Sequence, residues 1–542
     1  MSGLLFLVLG VALSAAIIPL AIRVAPALGM VDEPDPRKVH ARPIPRIGGI
    51  GIVVGSLGPV VALMPMEPLL QSFIIGSLIL FVFGAWDDAA ELTHWVKFGG
   101  QFAAAAIVVY HGNLWVERFP FLNGEPLSPE IGKPFTIFAL VGVINAINHS
   151  DGLDGLAGGE SLLGLIVMGF LAFVVDDSFG VFLSCAVAGG ILGFLRFNTH
   201  PARIFMGDSG SQFLGYTMGF LAVYLTQVSH PALSPALPLL LIGLPIADIN
   251  AVFYLRISGG MNWFRATRNH IHHRLLDRGF EHYETVIIIY SVQALLVGLG
   301  ALLRYESDLV VTGTFLVIVA SLFLVLTYLE RKDKTFHTKP ERRALNRFLG
   351  AYTGGAGPVA RFAEKAAVWG YSSLLLLAAL ASDSTSPFVG IISAALLLSC
   401  LLVLVLWKKT TESLVFRFAT YAVSLSVVYL LVQDPPQLEW LDRIISTPAF
   451  LVLGVILAAA IRLSSERVFK TTATDYLILF GLITISIFGR EQLEVRQITT
   501  LVVHSVVMIY ASEFACRATT NRISVLSLAV IASLSLLTWR AL

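Results

Sequence analysis

The chain has 542 residues, of which 56% are hydrophobic and only 13% are charged, and its mean hydropathy is +0.79. This composition excludes a single soluble core and indicates a polytopic membrane protein. The net charge of +1 gives no sign of a nucleic-acid partner, and the three cysteines lack the spacing of a disulfide framework or a metal site.

Runs of apolar residues predict about eleven transmembrane helices in the first part of the chain and about seven in the last third. The first group lies near residues 3–23, 47–65, 69–86, 98–112, 135–149, 159–175, 179–197, 211–228, 237–255, 284–303 and 309–329. The second group lies near residues 366–383, 387–407, 413–432, 447–463, 474–489, 497–512 and 522–540. The predicted fold class is an all-α polytopic membrane protein, in which the first span is a retained helix rather than a signal peptide.

Lysine and arginine residues concentrate in one alternating set of the predicted connections, which the positive-inside rule assigns to the cytoplasm. The polar motifs that suggest chemistry fall in the same set, so we expect one active site on the cytoplasmic face. Residues 331–365 are rich in charge and predict a cytoplasmic linker between a domain at 1–330 and a transmembrane module at 366–542. The role of that module stays open.

Asp87 and Asp88 end the third predicted span. Adjacent residues on a helix point about 100° apart, so the two carboxylates are not expected to chelate one ion together. One of them can act as a base while the other binds a cation or orients a partner. The plainer alternative is a charged helix end just outside the bilayer.

Asn145, Asn148, Asp151 and Asp154 lie three residues apart at the end of the fifth predicted span. Residues three apart are neighbours on a helix, so consecutive members of this series can face one cavity. A buried carboxylate costs roughly 2.5–3.5 kcal/mol at the bilayer centre, so such a series needs water, partners or a metal. Mg²⁺ accepts carboxylate and amide oxygens, whereas a polar helix end with capping residues is the alternative.

Two further motifs suggest phosphate and cation binding. Asp208 lies between glycines in a predicted turn. Such a turn lets backbone amides approach a ligand closely, and the alternative is an ordinary Asx turn.

His270, His272, His273 and Arg274 form a dense set of hydrogen-bond donors. This set favours phosphate recognition over zinc, because it lacks Cys and a His pair at one-turn spacing. A solvated basic loop is the alternative.

In their order along the chain, these motifs resemble those of polyprenyl-phosphate N-acetylhexosamine-1-phosphate transferases, glycosyltransferase family 4. The resemblance covers roughly residues 1–335. It rests on the segments Leu28–Pro34, Arg37–His40, Pro43–Gly49, Asp87–Asp88 with Trp95, Lys97 and Gln101, Asn145–Leu156, Phe205–Ser211, Pro245–Asp248 and His270–Phe280. The His-Ile-His-His form is similar to that of bacterial enzymes that load N-acetylglucosamine 1-phosphate, whereas Glu91 stands where the family commonly has Asp.

The resemblance implies transfer of an N-acetylhexosamine 1-phosphate, first of all N-acetylglucosamine 1-phosphate, from a UDP-sugar to undecaprenyl phosphate with release of UMP. This reaction is the first membrane step of cell-envelope glycan synthesis. The resemblance assigns Mg²⁺, with Mn²⁺ as an alternative, to Asn148 and Asp208. The catalytic candidates are Asp87, Asp88, Asp151 and Asp154. The substrate-binding candidates are Asn145, the diphosphate-binding His270, His272, His273 and Arg274, and the lipid-phosphate-binding Arg37, Lys38 and His40.

The expected partners are undecaprenyl phosphate, a UDP-N-acetylhexosamine and membrane lipids, and a homodimer stays open. The expected location is the bacterial inner membrane. Two other functions are weighed against the transferase. A membrane prenyltransferase also uses Asp-rich motifs and Mg²⁺ but has no use for the histidine cluster. A transporter would place its ionisable residues at the midplane of broken helices.

Overall fold

A computed structural model describes residues 2–34, 43–122, 125–260, 269–332, 358–381, 387–406, 414–433, 448–463, 477, 493–519 and 524–541. Contacts divide the chain into two compact units. The first unit comprises residues 1–337 and 472–484, and the second comprises residues 338–471 and 485–542. All of the candidate residues for catalysis and binding fall in the first unit.

The described helices of the first unit follow the predicted spans closely. They are α1 (Ser2–Val24), α2 (Gly49–Leu63), α3 (Pro68–Ala90), α4 (His94–Tyr110), α5 (Pro129–Ser150), α6 (Leu156–Val174), α7 (Ser178–Asn198), α8 (Gly207–Tyr224), α9 (Pro238–Leu241), α10 (Gly243–Ser258), α11 (Ile271–Asp277), α12 (His282–Leu302) and α13 (Asp308–Arg331). A two-stranded antiparallel ribbon, β1 (Val31–Asp32) and β2 (Ile44–Pro45), lies between α1 and α2.

Seven helices in the described part of the chain are long and apolar enough to cross a membrane. The protein is therefore an all-α, multi-pass membrane protein, as its composition predicts. The finer expectation of eleven plus seven spanning helices stays a prediction, since several apolar helices, such as α2, have fewer than eighteen residues.

Helix α8 forms the centre of the first unit. Every residue from Ser209 to Tyr224 is buried, and the helix packs against α3 and α5. Phe73 of α3 stacks on Tyr216 of α8 with ring centroids 5.5 Å apart. Because α8 is enclosed along its length, its first turn is held firmly against the ends of α3 and α5. Those three helix ends carry most of the acidic candidates.

The structure departs from the predicted elements in two places. The single span expected at 237–255 is divided, because α9 ends at Leu241 and α10 begins at Gly243. The histidine cluster, expected in a connecting loop, forms the short helix α11. The Asp248 carboxylate caps this helix by accepting a 2.9 Å hydrogen bond from the N–H of Ile271.

The second unit has its own hydrophobic core. Its described helices are α14 (Pro358–Ala381), α15 (Pro387–Leu406), α16 (Leu414–Gln433), α17 (Pro448–Leu463), α18 (Leu493–Ala518) and α19 (Val525–Ala541). Glu513 of α18 accepts a hydrogen bond from Tyr421 and pairs with Arg517 at 2.7 Å. The role of this unit stays open.

Candidate active site

A lysine joins two of the predicted acidic residues. Asp87 ends α3, Asp208 begins α8, and Lys97 lies in the first turns of α4. The Lys97 Nζ lies 2.5 Å from Asp87 Oδ2 and 3.0 Å from Asp208 Oδ2. The N–H of Leu92 donates to the other Asp87 oxygen at 2.7 Å. Two buried or half-buried carboxylates therefore share one ammonium, which offsets their repulsion.

Asp88 faces a different partner from its neighbour. Its Oδ1 accepts a 2.8 Å hydrogen bond from the N–H of Asp208, and its Oδ2 accepts from the N–H and the hydroxyl of Ser209 at 3.2 and 2.9 Å. Asp88 therefore caps the N-terminus of α8, where a negative charge is favourable. Gly207 has φ +71°, and a Cβ there would lie 2.5 Å from Asp88 Oδ2, so only glycine permits this approach.

The amide side chains of α5 extend the acidic cluster. Asn148 donates to the Ser211 hydroxyl at 2.8 Å and also lies against the Asp208 carboxylate. Asn145 donates to Gln101 at 2.7 Å. Helices α3, α5 and α8 thus converge on one point, and its identity with the single site expected from the sequence stays a prediction.

The donor set at this point fits a hard divalent cation. Asp208 carries carboxylate oxygens, and Asn148 carries an amide oxygen besides the N–H groups that contact Ser211 and Asp208. Carboxylate and amide oxygens are ligands that Mg²⁺ accepts. Asp208 and Asn148 would hold the ion, with Asp87 and Lys97 as neighbouring charged groups. The assignment of metal ligands stays a prediction.

Asp151 lies just beyond α5 and faces the same cluster. Burial, followed by the negative charges of Asp208, Asp88 and Asp154, raises the pKa of Asp151 to about 7. The guanidinium of Arg46 acts in the opposite direction. Asp151 is therefore a carboxyl group whose protonation changes near neutral pH, which is typical of functional sites.

Asp154 belongs to a separate group of side chains. Its Oδ2 lies 2.8 Å from His200 Nδ1 and accepts from the N–H of Ala202 at 3.0 Å. Burial alone would raise the pKa of Asp154, but these hydrogen bonds and the nearby His282 hold it below its ordinary value. Asp154 is therefore ionised, and it ties the turn after α5 to the loop after α7.

The three histidines occupy different positions around α11. His270 pairs with Asp248 at 2.8 Å, and His272 packs directly against Gly152, where a Cβ would lie 2.2 Å from its Nε2. His273 lies beside His272, with ring centroids 4.3 Å apart. Burial, followed by the neighbouring histidines, lowers the pKa of His272 well below its ordinary value, so this imidazole is neutral at pH 7.

Arg274 is held by a residue that the sequence does not single out. Its Nε and Nη2 atoms lie 2.7 and 2.9 Å from the two carboxylate oxygens of Glu330, at the end of α13. This is a bidentate ion pair. The part of Arg274 in diphosphate binding stays a prediction, as does that of the lipid-phosphate candidates Arg37, Lys38 and His40, which lie outside the described residues.

Three residues that the sequence does not mark as site candidates lie within the site. In the sequence, Lys97 stands out only as part of the motif that follows Asp87 and Asp88. Its position at the start of the next helix could have indicated that it lies near these carboxylates. Arg46 approaches Asp88 at 3.6 Å, and His282 approaches Asp154 at 3.9 Å. A single histidine at a helix start gives no comparable signal in a sequence.

A long cavity opens beside the acidic cluster. Its volume is about 1430 Å³, and its walls come from α4, α5, α8 and α10. One end carries polar side chains, namely Lys97, Asn145, Asn148, His149, Arg256 and His270. The other walls are mainly apolar and continue to Val116, Phe119 and Thr312 at the far end. The cavity therefore has the polarity of an amphiphile with a charged head and an apolar chain.

Comparison with known proteins identifies the family. Residues 70–226, which run from α3 to the end of α8 and contain Asp87, Asn148 and Asp208, match the model of glycosyl transferase family 4. A probable undecaprenyl-phosphate N-acetylglucosaminyl 1-phosphate transferase of Bacillus subtilis (strain 168) is 37% identical over 279 residues, which are 51% of this chain and 78% of that relative. The chain belongs to glycosyl transferase family 4. The resemblance seen in the sequence is thus confirmed.

Other family members are similar over a comparable length. An undecaprenyl-phosphate alpha-N-acetylglucosaminyl 1-phosphate transferase of Escherichia coli O157:H7 is 31% identical over 318 residues, or 57% of this chain and 85% of the relative. A decaprenyl-phosphate N-acetylglucosaminephosphotransferase of Mycobacterium tuberculosis (strain CDC 1551 / Oshkosh) is 31% identical over 297 residues, or 49% of this chain and 74% of the relative.

Proposed function

We propose that this protein transfers N-acetylglucosamine 1-phosphate from UDP-N-acetylglucosamine to undecaprenyl phosphate and releases UMP. The observation that carries the proposal is the convergence of Asp87, Asp208 and Asn148, with Lys97, at the polar end of an apolar cavity. The names of the relatives supply undecaprenyl phosphate as the acceptor and N-acetylglucosamine 1-phosphate as the group transferred. The UDP-linked donor comes from the resemblance seen in the sequence.

In the proposed reaction, an oxygen of the lipid phosphate forms a bond to the β-phosphorus of the nucleotide sugar. The bond from that phosphorus to the oxygen bridging towards the α-phosphorus breaks, and UMP leaves with that oxygen. Bound Mg²⁺, or Mn²⁺, would neutralise charge on the diphosphate. Asp208 and Asn148 are the residues of this chain proposed to hold the ion.

Asp87 is proposed to orient the positive charge of Lys97 and not to remove a proton from the lipid phosphate. Both of its oxygens are engaged, one by Lys97 and one by the N–H of Leu92. A lipid phosphate is already largely ionised near neutral pH, so its oxygen needs positioning more than deprotonation. In this arrangement Asp87 holds the Lys97 ammonium beside the phosphates, where it offsets their charge.

The apolar cavity is proposed to hold the polyprenyl chain. It runs alongside α4, from Lys97 near the start of the helix to Val116 beyond its end. A helix of 17 residues is about 25 Å long, which approaches the thickness of the hydrocarbon core of a bilayer. The lipid phosphate would then lie at the polar end, beside Lys97 and Asn148.

The cavity can be blocked at one glycine. Gly142 of α5 lines the cavity, and a Cβ there would meet nothing within 4 Å. Gly142→Phe should raise KM for undecaprenyl phosphate by about tenfold, since overpacking costs about 1–3 kcal/mol. KM for a short-chain prenyl phosphate should change much less. Gly298→Phe on α12, where a Cβ also meets open space outside the cavity lining, is the matched control. Equal effects of both changes would contradict this position for the chain.

The proposal also includes the cellular location of the enzyme. The distribution of basic residues favours an active site on the cytoplasmic face of the bacterial inner membrane, where UDP-sugars are made. A homodimer stays open and is tested by the mass of the detergent-solubilised protein in light scattering.

Release of UMP tests the proposed function. Purified protein with UDP-N-acetylglucosamine, undecaprenyl phosphate and Mg²⁺ should form UMP, and omission of the lipid should stop it. A prenyltransferase or a transporter would form none. Asp208→Asn, which keeps the size of the side chain, should abolish release while the protein remains folded. A panel of UDP-N-acetylhexosamines then identifies the sugar, and lack of UMP with every donor would overturn the proposal.

A further inference from the structure

Three side chains that are distant in the sequence meet outside the acidic cluster. Asp154 lies in the turn after α5, His200 in the loop after α7, and His282 at the first residue of α12. One ligand atom from each lies within 4.8 Å of the other two. The Asp154 Oδ2 is 2.8 Å from His200 Nδ1 and 3.9 Å from His282 Nε2.

The two imidazole rings are stacked with centroids 4.1 Å apart and an interplanar angle of 21°. His200 Nδ1 contacts the Asp154 carboxylate directly, whereas His282 Nε2 accepts a 3.1 Å hydrogen bond from the N–H of Asp154 and lies 3.9 Å from its carboxylate. His282 and Asp154 are largely buried, with side chains 11% and 17% exposed, whereas that of His200 is 43% exposed. Asp154 and His282 are thus held in place by burial, whereas the side chain of His200 can rotate on the solvent side.

We propose that Asp154, His200 and His282 bind a transition-metal ion of the Zn²⁺ class, at a site separate from the Mg²⁺ cluster. Two imidazoles and one carboxylate are a common ligand set for Zn²⁺, and they leave a coordination position for water from the solvent side. Mg²⁺ prefers oxygen ligands throughout, so the two histidines select against it. The acidic cluster, which has oxygen donors and an ammonium, has the opposite preference.

Small movements complete the geometry. Zn²⁺ bonds to nitrogen and oxygen are about 2.0–2.2 Å long, so two ligand atoms of one tetrahedral ion lie about 3.4 Å apart. The Asp154 distances to His200 and His282, 2.8 and 3.9 Å, lie on either side of this value. A rotation of the exposed His200 ring brings the remaining pair into range. The N–H of Ala202 keeps the Asp154 carboxylate in place meanwhile.

Metal binding at this site would clamp three elements together. The turn after α5, the loop after α7 and the start of α12 share no covalent constraint, and a bound ion would join them through three bonds. Because such an ion binds only the folded protein, it stabilises that state by mass action. The site does not depend on the proposed transferase reaction.

The test uses the full-length protein in detergent, without an affinity tag, in excess Mg²⁺. Zn²⁺ titration should show one tight site per chain and a higher Tm, and Co²⁺ should give visible absorption bands of a nitrogen-ligated ion. His200→Ala and His282→Ala should each weaken Zn²⁺ binding by at least about tenfold. His111→Ala, an exposed histidine at the end of α4, is the matched control and should bind like the wild type.

His200 is exposed, so His200→Ala keeps the test valid if His282→Ala does not fold. Equal Zn²⁺ stoichiometry and affinity in the wild type, His200→Ala and His282→Ala would overturn the site. So would a Co²⁺ spectrum that is unchanged by either substitution. Since Mg²⁺ is present throughout, UMP release measured without Zn²⁺ reports the proposed function independently.

Discussion

The Asp88 carboxylate accepts a 2.8 Å hydrogen bond from the N–H of Asp208, so one acidic residue holds the helix that carries another. Asp87, its neighbour in sequence, turns instead towards Lys97. The two adjacent carboxylates therefore have different tasks. We infer that Asp87 orients the Lys97 ammonium and that Asp88 acts through Asp208 as a positioning residue.

Asp88→Asn tests this division. The amide keeps the shape of the side chain but presents a donor to the N–H groups of α8, so Asp208 should shift. We expect Mn²⁺ affinity to fall by about 10–100-fold, as is usual when the support of a metal ligand is lost. Electron paramagnetic resonance of Mn²⁺ measures it. Ser209→Ala, which removes only the hydroxyl donor, should have a much smaller effect. Normal Mn²⁺ binding by an inactive Asp88→Asn protein would mean that Asp88 contacts the reacting groups itself.

Lys97→Met should separate metal affinity from turnover. The ammonium lies within 3.0 Å of both Asp87 and Asp208, so it competes with a divalent cation for the same oxygens. Its removal should tighten Mn²⁺ binding by about tenfold or more, because two carboxylates are left without a counter-charge. Transfer should become slower, since the charge beside the phosphates is lost. Lys97→Arg, which keeps the charge, is the control. Weaker Mn²⁺ binding by Lys97→Met would contradict the competition.

Asp151 predicts a pH dependence of stability. Its pKa in the folded protein is about 7, above the ordinary value of 3.8, so the folded state keeps a proton that the unfolded state loses. This carboxyl group should therefore stabilise the metal-free protein less as the pH rises from about 4 to about 7. Asp151→Asn stays neutral, so it should melt at a higher temperature than the wild type at about pH 8 and at a similar temperature at about pH 4. The measurement is Tm as a function of pH in EDTA, for the wild type and for Asp151→Asn. Identical pH profiles of the two proteins would contradict the raised pKa of Asp151.

The ion pair of Arg274 and Glu330 predicts coupled effects. If Arg274 acts by fixing α11 to α13, then Arg274→Ala and Glu330→Gln should lower Tm and raise KM for the nucleotide sugar in parallel. The double variant should be no worse than the more severe single variant, because both remove one interaction. A large rise in KM for Arg274→Ala with normal behaviour of Glu330→Gln would show that Arg274 contacts the diphosphate directly.

Much of the site could be predicted from the sequence, because its motifs lie at helix ends. Asp87, Asn148 and Asp208 end or begin spans that are recognisable by hydropathy, and the alternation of loops puts them on one face. The periodicity of a helix also separates the directions of Asp87 and Asp88. What brings them together is packing around α8, which no local pattern describes.

The remaining contacts could not be predicted because they join distant segments. Glu330 lies 56 residues beyond Arg274, and His282 lies 128 residues beyond Asp154. The helix α11 forms around histidines that look like a loop, since its cap comes from Asp248, 23 residues before Ile271. A contact of this kind depends on the tertiary fold and leaves no periodic signal.

The central claim is that the β-phosphorus moves with the sugar. UDP-N-acetylglucosamine labelled with ³²P in the β-phosphate, incubated with the protein, undecaprenyl phosphate and Mg²⁺, tests it directly. We predict that the label enters the organic phase as a lipid diphosphate sugar and that unlabelled UMP stays in the water, whereas Asp208→Asn transfers none. Label that remains in water-soluble UDP while the sugar enters the lipid would show ordinary glycosyl transfer and contradict the proposed reaction.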